Sequence, residues 1–376
     1  MAPSAWSDGP SALCASIDST TALVKNFQIA LQNRTQPTLD MPDPPNPLRL
    51  LSDAASVLKA QTTKLSLLIL NKPFTPSAIT FILNSLSNQC LPALISALEL
   101  CTAAQWTSFL QQHLRASLSH IMGQYLDLIT SIPTDEHGID MDAGRGVLAT
   151  TGVLWESCDR LVELASSGLV SLAVQKADSY HALIKDAITE LEEWNPNELE
   201  DDSEDDSDDD SDDDSLQEQL ERTHIKADGL ASAVSDQHTN DTAPLPSTTT
   251  THLQSLSLSH LRLLRLLYPA IRKRRLATFP PISGATPISF TFPTAPQLQR
   301  MDILIHHLKQ FSEEADEIAG ALYEGKEEDV KRRLTGLREM GMACVAGAKL
   351  DWSDKNDEFS EWADKWLGRL RKLEST

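Results

Sequence analysis

Apolar side chains recur every three or four residues along most of the chain, which is the spacing of one face of an α-helix. The first such stripe runs from Leu13 to Leu31, and the second runs from Leu48 to Ile69. A proline-rich stretch, Pro37 to Pro47, separates them and cannot continue a helix. No segment shows the strict alternation of a half-buried strand, so the pattern predicts an all-α fold.

Four further helical stretches complete an N-terminal bundle. Thr75 and Pro76 have the residue types of an N-cap and a first helical position, and the helix that they open is expected to bend near Pro92. The next stretches contain Trp106 to Leu128, Val147 to Leu164, and Leu169 to Trp194, with a polar loop at Pro133–Asp142 and a break at Ser166-Ser167-Gly168. Residues 11–194 are therefore predicted to form five or six helices, after a disordered N-terminus at 1–10.

The periodicity stops between residues 195 and 250. The run from Glu198 to Asp214 holds 13 of the 54 acidic residues, so the rest of the chain accounts for only about −9 of the net charge of −22. Such a run has almost nothing to bury and its charges repel one another. The acidic Ser/Asp-rich segment and the Thr/Pro-rich segment after it are predicted to form a disordered linker over 195–250.

Helical periodicity returns at about His252. A proline-rich loop from Phe279 to Pro296 follows, and the remaining sequence predicts three more helices, Gln297–Tyr323, Lys326–Leu350 and Asp357–Leu373. Residues 251–376 are therefore expected to form a C-terminal four-helix bundle. The predicted architecture is two helical bundles joined by a disordered acidic linker.

Composition narrows the functional classes. Only 15 glycines are present, which disfavours β-sandwiches, barrels and nucleotide-binding α/β folds. The acidic charge disfavours direct DNA or RNA binding. Five cysteines without a Cys-x-x-Cys pair suit reduced thiols, the N-terminus MAPSAWSDGP lacks a secretory signal, and the apolar run Leu65–Leu70 is too short to span a membrane. These features predict a soluble intracellular protein with no membrane partner.

The acidic run carries candidate phosphorylation sites. Ser203, Ser207 and Ser211 each have acids at the next three positions, which is the pattern that acidophilic kinases of the casein-kinase-2 type prefer. Each phosphate adds about −1.5 to −2 charges. The run is either a tunable anionic arm for basic partners or a solvated spacer between the bundles.

A basic cluster, Arg272, Lys273, Arg274 and Arg275, stands at the expected end of a helix. One interpretation is a nuclear localisation signal or a dock for the acidic run. The other is a favourable placement of cations at a helix C-terminus.

Catalytic and metal-binding patterns do not emerge from the sequence. The chain contains no Gly-x-Ser-x-Gly elbow, phosphate-binding glycine loop or His-Glu-x-x-His motif. His306 and His307 have Glu313, Glu314 and Glu317 nearby, but adjacent helical residues point about 100° apart and do not easily chelate one ion. We expect no catalytic residues, no cofactor and no metal, hence a protein that is not an enzyme.

The tryptophans cluster late in the two bundles. Trp362 and Trp366 are four residues apart and therefore share one helix face. Such a face either fills the core or forms an aromatic surface for a partner.

The segment TGVLWESCDRLVEL (Thr151–Leu164), after a helix that ends YLDLITSI, resembles the cyclin-D-interacting, or GCIP-like, family. The pattern rests on Trp155, Cys158 and Asp159. The stretch MDILIHHLKQFSEEADEIAGALYEGKEEDVKRRLTGL and a terminal pattern of acids followed by Phe359, Trp362 and Trp366 are also similar to the family. The resemblance spans about residues 50 to 370 and is diffuse outside Thr151–Leu164.

This resemblance implies two packed helical bundles in the style of vinculin and catenin adaptors. It also implies a non-catalytic regulator of the cell cycle or of transcription, found in the nucleus and cytoplasm, that binds D-type cyclins and helix-loop-helix factors. No contact residues are carried over from the family. Two alternatives stay open, namely an acidic-tract chaperone or carrier of basic proteins and a cytoskeletal adaptor.

Overall fold

The computed structural model describes residues 9–33, 45–133, 141–195, 246–280 and 293–373. Regular structure in these ranges is entirely helical, which confirms the predicted all-α class. The helices are α1 (Gly9–Gln32), α2 (Pro47–Leu70), α3 (Pro76–Ser85), α4 (Leu91–Leu100), α5 (Ala103–Trp106), α6 (Ser108–Thr130), α7 (Met141–Glu193), α8 (Pro246–Arg265), α9 (Leu267–Ile271), α10 (Ala295–Tyr323), α11 (Glu327–Ala348) and α12 (Glu358–Leu373). Most of the predicted linker lies outside the described residues.

The two apolar stripes of the sequence are the buried faces of α1 and α2. Leu13, Val24 and Leu31 are buried on α1, and the whole stripe of α2 from Leu48 to Ile69 is buried. Each fully buried leucine contributes about 1.5–3 kcal/mol relative to an exposed one. These stripes therefore confirm the prediction that periodicity marks the core.

The helix opened by Pro76 changes its hydrogen-bonding pattern before Pro92. A π-helical turn, Leu86–Cys90, joins α3 to α4 and adapts the backbone to a proline that supplies no N–H. Pro76 occupies the first turn of α3 as expected, but the Thr75 hydroxyl does not cap the helix. It donates to the Pro73 carbonyl instead, at 3.1 Å.

Pro76–Leu100 is long and apolar enough, by length and composition alone, to cross a membrane. This segment could not be recognised from uninterrupted apolar runs, because polar residues interrupt it. Ile79, Leu83 and Leu94 of the segment are fully buried in the bundle. The Cys90 thiol donates to the Ala54 carbonyl of α2 at 3.2 Å, so the inner face of the segment is part of the protein core, whereas Phe81 is 74% exposed.

The longest helix, α7, breaks at Gly168. This residue has φ 77° and ψ −176°, a conformation that glycine adopts without the strain of a side chain. The predicted break at Ser166-Ser167-Gly168 is therefore confirmed. The first part of α7 lies along α2, where the Ser66 and Thr151 hydroxyls are hydrogen-bonded at 2.6 Å.

The C-terminal helices follow the predicted bounds closely. Helices α10, α11 and α12 begin and end within two residues of the predicted ranges. Helix α8 begins at Pro246, earlier than the predicted start at about His252, because proline fits the first turn of a helix. A π-helical turn, Arg272–Leu276, follows α9.

The two halves of the chain pack against each other. The apolar periodicity of the sequence does not decide whether they do. Asp302 of α10 accepts hydrogen bonds from the backbone N–H groups of Ser108 and Phe109, the first residues of α6, at 2.7 and 3.1 Å. Gln254 of α8 donates to the carbonyls of Leu191 and Trp194 at 2.7 and 2.8 Å. One continuous apolar core results, and α7 is its central element.

Candidate interaction site

The family-like segment lies on the first part of α7, against α2. Cys158 is fully buried, and burial raises the pKa of its thiol to about 12. Trp155 is half-buried one turn after Thr151, the residue that contacts Ser66 of α2, and its indole N–H has no hydrogen-bond partner among the described residues. Cys158 therefore belongs to the protein interior, whereas Trp155 is partly accessible.

Asp159 is the exposed member of the segment. Its carboxylate pairs with the Lys59 ammonium of α2 at 2.7 Å, and both side chains are exposed. An exposed pair of this kind contributes about 0–1 kcal/mol. The pair therefore adds little to stability, although it shows which turns of α2 and α7 lie side by side.

Two leucines border the same seam and remain exposed. Leu67 follows Ser66 on α2, and Leu148 precedes Thr151 by about one turn on α7, so the 2.6 Å hydroxyl contact places them at the same level. The exposed fractions of Leu67 and Leu148 are 53% and 56%. Gly152, one turn after Leu148 on α7, is exposed, and a Cβ there would meet nothing within 4 Å. We call Leu67, Leu148, Gly152 and Trp155 the α2–α7 face.

The basic cluster is mostly engaged within the protein. Arg272 pairs with Asp178 of α7 at 2.7 Å, and Arg274 pairs with Glu358 of α12. Arg275 is fully buried beside Asp357, with a nitrogen–oxygen distance of 2.8 Å. Lys273 is exposed and has no ion pair in the described part of the chain. The cluster thus fastens the turn after α9 to α7 and α12.

Trp362 and Trp366 share the inner side of α12. Trp366 is buried, and its indole N–H donates to the Leu263 carbonyl of α8 at 2.9 Å. Trp362 is half-buried against Phe359, with ring centroids 5.3 Å apart. Both rings dock α12 onto the bundle, so the core interpretation of this face is the one that these contacts support.

A cleft of about 240 Å³ opens where α6, α7 and α10 meet. Its walls carry Ser108, Gln112 and His113 from α6, Lys176 and Tyr180 from α7, and His306 from α10. Asp302 and Lys309 of α10 also border it. Sequence reasoning missed this site because His113 stood inside an apolar stripe and Lys176 had no motif around it.

The charges in the cleft are predominantly basic. Burial, and after it the charge on Lys176, lowers the pKa of His113 below its usual range. Burial, and after it the charge on Lys309, lowers the pKa of Lys176. Both pKa values fall because the positively charged form is less stable away from water and beside another positive charge.

The histidine pair does not form a metal site in this structure. The rings of His306 and His307 are tilted, with centroids 6.3 Å apart, and His307 stacks on Phe311 instead. Among the residues that the structure describes, no three His, Cys, Asp or Glu side chains come together in a way that could hold an ion. Glu314 and Glu317 pair with Arg333.

The predicted site residues do not converge. Trp155, Cys158 and Asp159 lie at the α2–α7 seam, and the basic cluster lies beside α12 with the two C-terminal tryptophans. Ser203, Ser207 and Ser211 lie outside the described residues, so their prediction stays a prediction.

Comparison with known proteins supports the family resemblance. Residues 50–197 match the family model described as Grap2 and cyclin-D-interacting, N-terminal. An uncharacterised protein of Schizosaccharomyces pombe is 26% identical over 328 residues, which cover 86% of this chain and 83% of that protein. No solved structure matches the chain. The matched range contains α7 with its family-like segment and all of α2 except its first turn.

Proposed function

We propose, from the GCIP-like N-terminal domain that this chain carries over residues 50–197, that the protein is a non-catalytic adaptor that regulates the cell cycle or transcription. The observation that carries the proposal is the match of this domain to a cyclin-D-interacting family. The all-helical fold favours the same conclusion, because helical bundles offer grooves and faces that bind partner helices. D-type cyclins and helix-loop-helix factors are the proposed partners.

The α2–α7 face is the proposed contact surface. It lies within the matched domain, and it combines two exposed leucines with a half-buried tryptophan beside an uncovered glycine. Apolar anchors of this kind, rimmed by charges such as Lys59 and Asp159, are typical of the centre of a protein interface. The rim charges contribute to orientation and association rate more than to affinity.

The direct test is binding of purified D-type cyclin to the full chain. We expect Leu67→Glu and Leu148→Glu each to weaken binding at least tenfold, because each places a charge in a surface that becomes desolvated. Leu183→Glu is the matched control, since Leu183 is 46% exposed on α7 and lies beyond Gly168, away from this face. Circular dichroism is used to check that all three variants are folded.

A helix-loop-helix factor forms the second arm of the test. Binding of either protein that depends on Leu67 and Leu148 supports the proposal. Absence of saturable binding to both, with folded protein, overturns it. Equal loss from Leu183→Glu would show that the surface is wrongly placed.

The acidic run defines the rival function, a carrier of basic proteins. Deletion of residues 197–215 tests it, because electrostatic binding to this run collapses on deletion and falls steeply with salt. The adaptor proposal expects cyclin binding to survive the deletion. We further propose that the protein resides in both nucleus and cytoplasm, which fractionation with an antibody to the chain tests.

A further inference from the structure

The cleft between α6, α7 and α10 brings donors from three helices to one place. Lys176 and Tyr180 are one helical turn apart on α7, and His113 faces them from α6. Ser108, Gln112 and His306 add further polar groups to the walls. These positions are separated by up to about two hundred residues in the chain, so only folding assembles them.

The carboxylates nearby are already engaged. The Asp302 carboxylate accepts from two backbone N–H groups at the start of α6: that of Ser108, shared between both oxygens, and that of Phe109. Glu313 pairs with Lys309 at 2.8 Å. In the ranges that the structure describes, Lys176 and His113 have neither a hydrogen bond nor an ion pair from their side chains. A protein with a net charge of −22 therefore keeps one half-buried ammonium, that of Lys176, without an ion pair in the described part of the chain.

We propose that this cleft binds a phosphate group, with the Lys176 ammonium as the cationic donor and the His113 ring and the Tyr180 hydroxyl as further hydrogen-bond donors. A half-buried ammonium without a counter-ion, such as that of Lys176, is costly unless an anion completes the site. A phosphate offers three acceptor oxygens to donors that converge from different directions, and lysine is a common partner of phosphate.

The size of the cleft restricts the ligand. A volume of about 240 Å³ is below the range of about 300–1,000 Å³ that holds drug-sized ligands and cofactors. Inorganic phosphate, or the phosphorylated end of a small molecule or side chain, fits a cleft of this volume. The ligand would touch both halves of the chain, because α6 and α7 precede the acidic segment and α10 follows it.

Binding is measured first with inorganic phosphate, and then with O-phosphoserine to distinguish the free ion from a phosphorylated side chain. Calorimetry and thermal unfolding are carried out on the full chain against sodium chloride of equal ionic strength. We expect saturable binding and a higher Tm in phosphate. Phosphate also stabilises proteins generally by exclusion from their surface, so every variant is compared in the same two buffers.

Two substitutions in the cleft and one matched control separate the site from this general effect. Lys176→Gln and His113→Asn are expected to weaken binding at least tenfold and to remove most of the phosphate-specific rise in Tm. Lys185→Gln changes an exposed lysine on the same helix and is expected to behave as the unaltered protein. Equal behaviour of Lys176→Gln and Lys185→Gln overturns the proposal.

Nuclear magnetic resonance of the histidine rings gives a test on the unaltered protein. An anion beside His113 favours the imidazolium form, so phosphate is expected to raise the pKa of His113, while the ring signals of His252, exposed on α8, are expected not to move when phosphate is added. The other charged and titratable groups facing His113 are Lys176 and Tyr180 of α7, and Asp302, His306 and Lys309 of α10. An unchanged His113 titration, or acetate binding as tightly as phosphate, contradicts the proposal.

Discussion

Arg275 donates two of its guanidinium N–H groups to the two carboxylate oxygens of Asp357, at 2.8 and 2.9 Å. The remaining three N–H groups donate to the carbonyls of Ala348, Lys349 and Arg274. All five donors of a fully buried arginine are therefore satisfied. The guanidinium also lies 4.5 Å from the centroid of the Phe359 ring. This network joins the turn after α9 to the start of α12.

Asp357→Asn is expected to destabilise the protein by about 3 kcal/mol, because loss of one partner leaves a buried charge without compensation. Urea unfolding at neutral pH measures the change. Asp354→Asn is the control, since the side chain of Asp354 is 83% exposed and asparagine tolerates its positive φ. If the unfolding free energies of the two variants differ by less than about 1 kcal/mol, the network does not stabilise the protein as described.

The same pair predicts how stability depends on pH. The Arg275 hydrogen bonds lower the pKa of Asp357 from 3.8 to about 2, so the folded state holds this carboxylate in its charged form. The contribution is complete above pH 3.8 and is lost as the pH falls toward 2. The stability gap between the unaltered protein and Asp357→Asn should therefore narrow over that interval. A gap that stays constant contradicts the argument.

Gly341 of α11 packs tightly against side chains of α8 and α12. A Cβ at this position would lie 3.0 Å from Leu264 Cδ2 and 3.1 Å from Trp366 Cη2. Gly341→Ala is expected to lower the unfolding free energy by about 1–3 kcal/mol through overpacking.

Gly336 on the same helix is the matched control, because a Cβ there meets nothing within 4 Å. Gly336→Ala should stabilise by about 0.5–1 kcal/mol through helix propensity. Thermal unfolding of both variants distinguishes the two effects by their opposite signs. If both substitutions change the unfolding free energy in the same direction, the close contact with Trp366 does not determine the effect of Gly341→Ala.

The five free cysteines should differ sharply in reactivity. Burial raises the pKa of Cys90, Cys101 and Cys158 to about 12 and also raises that of Cys344, so their thiolates are scarce and shielded. Cys14 is only half-buried. A thiol reagent should label Cys14 alone in the native protein and all five after denaturation. Rapid labelling of the folded Cys14→Ser variant would contradict this order of thiol reactivity.

Asp302 connects the two halves through the N-terminus of α6. Asp302→Ala removes a carboxylate that accepts from two backbone N–H groups and is expected to cost about 1–2 kcal/mol. Asp302→Asn keeps an acceptor oxygen and should cost less. Hydrogen exchange of the Ser108 and Phe109 amides reports the change directly, and unchanged protection in Asp302→Ala would refute the assignment.

Much of the helical framework could be predicted from sequence because helix formation depends on local periodicity. The stripes of α1 and α2, the break at Gly168 and the bounds of α10–α12 all follow from spacing, glycine and proline. The family-like segment was recognisable for a related reason, since its residues lie on consecutive turns of one helix. The start of α8 was placed too late because threonine-rich sequence carries a weak helical signal.

The sequence by itself determined which residues form helices and which helix faces are apolar, since neighbours along the chain decide both. Only the tertiary structure decided which charges on different helices meet. The basic cluster was recognised as four cations, yet burial of Arg275 against Asp357, 82 residues away, depends on how α11 and α12 pack. The cleft around Lys176 likewise arises from three helices distant in sequence. Periodicity records that a face must be buried, but it carries no information about the partner that buries it.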